Sequence, residues 1–180
     1  SFKSKKKQGN PINLLRQFYS LKEGLKKLNN TAPDSYVVKI RTDQYIPLDM
    51  VLQEHQAASQ EAKTTKIYIP FFLKERNLIS DFYFVSTQEN LYTLCNSVLN
   101  NAQRKEVDIS ATSVHLLIPV LFAFEKNKLT KALKYYLFLK SLSPKLKRFG
   151  KEVPNCNLAQ EMTEFLNKNF ACLSQNILYS

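Results

Sequence analysis

The chain contains little glycine and little cysteine. Its 180 residues include three glycines, whereas all-β meanders need glycine in many tight turns, so we expect a mainly helical fold. The three cysteines are an odd number without a CxxC pair, so they suggest neither a disulfide framework nor a zinc site. This cysteine usage predicts an intracellular, reducing compartment, and it leaves nucleus, cytoplasm and mitochondrion open.

Long apolar runs and catalytic motifs are also missing from the sequence. The longest apolar run, Leu116–Phe124, is far shorter than the roughly 20 residues of a transmembrane helix, so it predicts a core segment. There is no P-loop, GxGxxG or GxSxG motif, and His55 and His115 form no HExxH or HxxxH pair. Asp81 is expected to cap a helix or a turn. We therefore predict no metal, no cofactor and no catalytic residue, and nothing in the sequence argues for an enzyme.

Positive charge is abundant and unevenly distributed. The formal net charge is +11, and residues 1–30 hold eight basic side chains against one acid, as do residues 111–150. Two separated basic blocks favour a polyanionic partner more strongly than a diffuse excess would. The alternative is that lysine only solvates exposed helix faces.

Changes in residue pattern divide the chain into four segments. We expect a mainly α fold, with repeat-like helical hairpins in the C-terminal half and a small β element around residues 36–86. The last two segments should form one compact unit. The segments are a flexible basic leader (1–10), an amphipathic helix (11–30), a mixed α/β segment (31–86) and a helical domain (87–180).

The mixed segment predicts three strands and one helix. The strings SYVVKIRTD, TKIYIPFF and SDFYFVS are rich in β-branched and aromatic residues, which is typical of strands. Pro70 lies in the second string and predicts an edge strand or an extended connector there. Good helix formers predict a polar helix over Met50–Ala62.

The amphipathic helix carries an apolar stripe at alternating spacings of four and three residues. Such a stripe docks on a partner helix, either within this chain or in another one. We assign it as a partner-binding surface. Its members are Leu14, Phe18, Leu21, Leu25 and Leu28.

From Ser86 onward the pattern predicts helix to the end of the chain. Ser86 and Glu89 have the spacing of a capping box. Residues 113–144 predict a helical hairpin, in which an apolar helix is followed by a lysine-rich one that ends near Pro144. The final helix is expected over Leu158–Leu173.

The second helix of this hairpin has two distinct faces. One is apolar and predicts a core contact. The other combines lysine with aromatic residues, a combination that holds phosphates while stacking on bases of single-stranded nucleic acid. The alternative is that another helix buries these aromatics. The predicted nucleic-acid-binding residues are Lys128, Lys131, Lys134, Tyr135, Phe138, Lys145, Lys147 and Arg148, and the predicted electrostatic tether is Lys3, Lys5, Lys6 and Lys7.

The hairpin is similar to a known type of helical repeat. Residues 127–133 look like the turn and second-helix start of a pentatricopeptide repeat, and residues 113–144 as a whole resemble one repeat unit. The tetratricopeptide and pentatricopeptide families both stack antiparallel helix pairs into solenoids. The resemblance therefore implies a helical hairpin, with a peptide as ligand in the first family and single-stranded RNA in the second. The residues at tetratricopeptide spacing are Ala132, Tyr136, Leu139 and Pro144.

These observations predict a non-enzymatic nucleic-acid-binding module, with RNA favoured over DNA. The alternative is a helical protein-interaction scaffold that belongs to a larger protein or complex. A third hypothesis places the basic leader and the helix after it on anionic lipid as a peripheral membrane contact.

Overall fold

The architecture was determined from a computed structural model and is mainly helical, with a small mixed sheet. In the described parts, no helix is both long enough and apolar enough to cross a membrane. The structure describes residues 11–28, 35–41, 45–61, 66–73, 78–104, 114–125, 134 and 157–173.

The described residues form helices and short strands that alternate along the chain. The helices are α1 (Pro11–Lys27), α2 (Leu48–Glu61), α3 (Gln88–Asn101), α4 (Val114–Glu125) and α5 (Asn157–Asn169). The strands are β1 (Tyr36–Ile40), β2 (Ile67–Ile69), β3 (Phe72–Leu73), β4 (Leu78–Ile79), β5 (Tyr83–Thr87) and β6 (Phe170–Cys172).

The main sheet has four strands in the order β1-β5-β2-β6, and β3 pairs with β4 in a separate ribbon. β5 runs antiparallel to both β1 and β2, whereas β2 and β6 are parallel. The edge position that Pro70 predicted for β2 is therefore wrong. Pro70 follows Ile69, the last residue of β2 that pairs with β6, so its missing N–H lies outside the ladder.

The end of the last helix also differs from the expectation. The apolar spacing predicted a helix as far as Leu173, but α5 ends at Asn169 and the next three residues pair with β2. Phe170 is buried at 4% exposure in the main core. Residues Phe170–Cys172 therefore pair with the open edge of β2 as a strand, although their local pattern continues that of the helix.

Helix α3 begins one residue later than the capping-box pattern indicated. The N-cap is Thr87, whose hydroxyl accepts a hydrogen bond from the backbone N of Asn90 at 3.3 Å. Ser86 stays in β5 and donates its own hydroxyl to the carbonyl of Lys66 at 2.9 Å. Strand and helix therefore join without a loop, which fixes the position of α3 against the sheet.

Side chains alternate between the two faces of the sheet, and each face carries a separate core. The larger core joins one face to α1, α3, α4 and α5, and it includes Phe84 of β5 and Phe170 of β6. The smaller core joins the other face to α2, through Val51, Tyr83 and Val85. The sheet is thus the middle layer of three.

The apolar stripe of α1 belongs to the larger core. Leu14, Phe18 and Leu25 are 1–2% exposed, Leu21 is partly buried, and Leu28 is 39% exposed. α1 packs on α3. The stripe therefore docks on a helix of this chain, which corrects its assignment as a binding surface for another protein.

The start of α3 also terminates α1. The side-chain amide of Gln88 donates to the carbonyl of Leu25 at 2.7 Å and to that of Leu28 at 3.3 Å. The Leu25 carbonyl also accepts from the backbone N of Leu28 at 3.2 Å. Gln88 thus adds a side-chain donor at the end of α1, where the last turn has no following helical N–H groups.

Helix α4 corresponds to the first helix of the expected hairpin. It contains Pro119 and is buried from Ile118 to Ala123. A buried polar contact ties it to α3, since the Asn101 side-chain amide donates to the carbonyl of Leu121 at 3.0 Å. Of the second hairpin helix the structure describes only Lys134, which is helical and exposed.

His55 lies at the contact between α2 and the sheet. It is 3% exposed, and its ring meets Tyr36 and Tyr68 edge-on at centroid distances of 4.2 and 4.7 Å. Within the described residues its Nε2 has no hydrogen-bond partner. Burial away from water disfavours the charged imidazolium and lowers the pKa of His55 below its ordinary value of 6.5.

The fold should therefore lose stability in mild acid. Above pH 6.5 both folded and unfolded chains hold a neutral His55, whereas below it the unfolded chain takes up a proton first. The free energy of unfolding should fall by up to about 1.4 kcal/mol per pH unit until the folded-state pKa is reached. Urea titrations between pH 7 and 5 measure this loss, and His55→Phe should reduce it. An equally steep loss in that variant would assign it to other groups.

Candidate anion-binding cleft

An open cleft lies between α1 and β1. Its volume is about 520 Å³, within the range of roughly 300–1,000 Å³ that is usual for small-ligand sites. The described residues that line it are Arg16, Gln17, Ser20, Leu21, Lys39, Ile40 and Arg41.

Local structure explains why three cations meet at this cleft. Arg16 and Ser20 are four residues apart on α1, so they lie one turn apart on the same side of the helix. Lys39 in β1 and Arg41 just after it are two residues apart, which places both on one side of the strand. No acid is found among the described lining residues.

Lys39 is held in place by two contacts. Its ammonium donates to the backbone carbonyl of Asp81 at 2.6 Å. It also lies 5.0 Å from the ring centroid of Phe84, within the range of a cation–π interaction. Both contacts come from the chain around β5, so the pairing of β1 with β5 positions Lys39 at the cleft.

Arg41 is held by the segment between β4 and β5. Its Nη1 donates to Oδ2 of Asp81 at 3.2 Å, and its backbone N donates to the carbonyl of Phe82 at 3.0 Å. The Arg41 side chain is 25% exposed and that of Asp81 is 3% exposed. Asp81 therefore forms an ion pair with Arg41, which its sequence position did not predict.

Most of the binding residues predicted from the sequence lie outside the described residues. Lys134 is described and is exposed, which suits contact with a polyanion. The others outside the described residues are the tether lysines Lys3, Lys5, Lys6 and Lys7, and Lys128, Lys131, Tyr135, Phe138, Lys145, Lys147 and Arg148.

Sequence reasoning counted Arg16 in a basic block and expected Asp81 to cap a helix or a turn, but it did not single out Lys39 or Arg41. The available signal was the alternation in VKIR, which puts both cations on one side of the first predicted strand. The contact with Asp81 had no sequence signal, because it depends on which strands become neighbours.

The described residues offer little for metal or thiol chemistry, although Cys172, one of their two cysteines, is exposed. Within them, no cluster of three or more His, Cys, Asp or Glu side chains could hold a metal ion. Burial raises the pKa of the Cys95 thiol to about 12, so the reactive thiolate is suppressed at neutral pH. The basic cleft is therefore the arrangement from which a function can be argued.

Comparison with known proteins adds no family to this picture. No protein-family model, curated protein or solved structure matches the chain. The resemblance of residues 113–144 to a tetratricopeptide or pentatricopeptide repeat stays a prediction. The chemistry of the cleft must therefore carry the functional argument.

Proposed function

We propose that this chain is a non-enzymatic nucleic-acid-binding module, with RNA the favoured ligand. The observation that carries the proposal is the convergence of Arg16, Lys39 and Arg41 on one cleft. Arginine and lysine are the side chains that bind phosphate, and the backbone of a nucleic acid presents phosphates in series.

The charge of the whole chain supports a polyanionic ligand. A net charge of +11 attracts nucleic acid over distances longer than those of direct contact. RNA is favoured because single-stranded RNA offers unstacked bases to aromatic side chains, and the predicted Tyr135 and Phe138 face would supply them.

The alternative is a helical protein-interaction scaffold, and it keeps less support. The stripe proposed as its docking surface contributes Leu14, Phe18 and Leu25 to the core. A protein partner would have to use another surface. A salt titration with RNA separates the two functions, because the scaffold requires no affinity for nucleic acid.

Binding of a fluorescent single-stranded oligouridylate should be detectable at low salt and should weaken steeply as salt is raised. Arg16→Glu should reduce the affinity roughly tenfold near 50 mM salt, because one phosphate contact and its released counterion are lost. Fluorescence anisotropy over a range of salt concentrations measures both effects.

The matched control is Lys168→Glu. Lys168 is exposed on α5 and is not among the residues that line the cleft, yet the substitution changes the net charge equally. We expect it to alter the affinity less than about twofold, because an exposed charge outside the contact surface is screened by salt. No binding by the unaltered chain at low salt would overturn the proposed function. Equal losses of affinity in Arg16→Glu and Lys168→Glu would show that the cleft is not the RNA-binding surface.

A further inference from the structure

One buried acid holds two of the three cations of the cleft. Asp81 is 2% exposed and lies between β4 and β5. Its backbone carbonyl accepts a hydrogen bond from the Lys39 ammonium, and its carboxylate accepts one from the Arg41 guanidinium. Lys39 and Arg41 are therefore both positioned by a single residue from a distant part of the chain.

Asp81 supports these cations from behind and does not line the cleft. Its side chain is 3% exposed, whereas that of Arg41 is 25% exposed. An incoming ligand would therefore meet the cations and not the carboxylate. Among the described residues at this site, three cations and one carboxylate give a charge of +2.

This arrangement differs from an ordinary basic surface. Long cationic side chains on a surface sample many rotamers, and a ligand that fixes them loses affinity to that ordering. Here the contacts with Asp81 and the Phe84 ring order Lys39 and Arg41 in the absence of ligand. A guanidinium also offers a planar set of donors that matches the oxygens of a phosphate.

We propose that Asp81 is a positioning residue that makes Lys39 and Arg41 a preformed site for one phosphate group of a single-stranded nucleic acid. Arg16 completes this site from α1. The inference rests on the proposed function and adds to it a defined phosphate position and the residue that organises it.

Asp81→Asn tests the proposal by the sign of its effect. If only charge mattered, removing a carboxylate beside a basic cleft would tighten binding of a polyanion. If the Asp81 carboxylate positions Arg41, the affinity for a fluorescent oligouridylate should fall at least about fivefold at low salt, although the backbone contact with Lys39 is kept. The slope of log affinity against log salt should also become shallower by about one, since one phosphate contact is lost.

Glu164→Gln is the matched control. It removes the same charge at an exposed position of α5, which does not line the cleft. We expect unchanged or slightly tighter binding and an unchanged salt slope. A folded Asp81→Asn variant that binds like this control would overturn the proposal.

A second variant decides the question if Asp81→Asn does not fold, as judged by its circular dichroism melt. Arg41→Lys keeps the positive charge and removes the planar set of donors. The proposal expects it to weaken binding several-fold. Affinity equal to that of the unaltered chain would overturn the proposal.

Inorganic pyrophosphate serves as a second probe, and it separates the proposed phosphate site from the proposed RNA-binding function. If the unaltered chain binds pyrophosphate but not RNA, and Asp81→Asn weakens that binding, the phosphate site stands and the proposed function fails. If RNA binds equally to the unaltered chain, to Asp81→Asn and to Arg41→Lys, the function stands and the phosphate site fails. If neither probe binds, both proposals fail.

Discussion

Replacing Leu25 with aspartate should unfold the chain or lower its thermal midpoint by about 10 °C or more. Leu25 is 1% exposed within the larger core, so the substitution removes a buried apolar side chain and puts an unpaired charge in its place. Together these effects should cost at least about 4 kcal/mol, a large share of the 5–15 kcal/mol that holds a typical domain folded. A circular dichroism melt measures the loss.

Leu28→Asp is the matched control, one residue after the end of the same helix. Leu28 is 39% exposed and its carbonyl, like that of Leu25, accepts from Gln88. Both variants keep this backbone contact, so they differ mainly in burial. We expect Leu28→Asp to cost less than about 1 kcal/mol. A stable Leu25→Asp variant that had lost association with another protein would restore the stripe as a docking surface.

Phe122→Ala should lower the free energy of unfolding by about 3–5 kcal/mol. Phe122 lies in α4, is 3% exposed, and meets Phe165 of α5 and Phe170 of β6 at ring-centroid distances of 5.8 and 5.7 Å. Its removal leaves a cavity where two helices and a strand meet, and it removes two aromatic contacts. Urea denaturation followed by circular dichroism measures the change.

Tyr45→Ala is the corresponding control for removal of a large ring. Tyr45 is 89% exposed, so the change should stay within about 0.5 kcal/mol. A loss below about 1 kcal/mol for Phe122→Ala would contradict the packing of α4, α5 and β6 in one core. The loss of unfolding free energy in the double variant Phe122→Ala/Phe170→Leu should differ from the sum of the losses in the two single variants, because the two rings are in contact.

The parts of the fold that sequence predicted well are those with a strong local pattern. Alternating and β-branched residues located β1 and β5, and good helix formers located α2 within about two residues at each end. The stripe of α1 predicted a helix and a docked face. It could not identify α3 as the partner, because periodicity shows that a face is buried and not which element buries it.

The parts that sequence missed depend on long-range pairing. Phe170–Cys172 continues the apolar spacing of α5, and it becomes a strand only because β2 presents an open edge. The candidate site has the same origin. Arg41 and Asp81 are 3.2 Å apart, although they lie in different parts of the sequence. Neither contact could be inferred before the order of the strands was known.

The parallel pairing of β2 with β6 has a consequence for how the chain is made. During synthesis β1, β2 and β5 leave the ribosome before β6, so one edge of β2 lacks its parallel partner until β6 has been made. The nascent chain would then expose both a free strand edge and the apolar face that α4 and α5 later cover. A free strand edge and an exposed apolar face favour aggregation, and the sheet is complete only when the last described strand has paired.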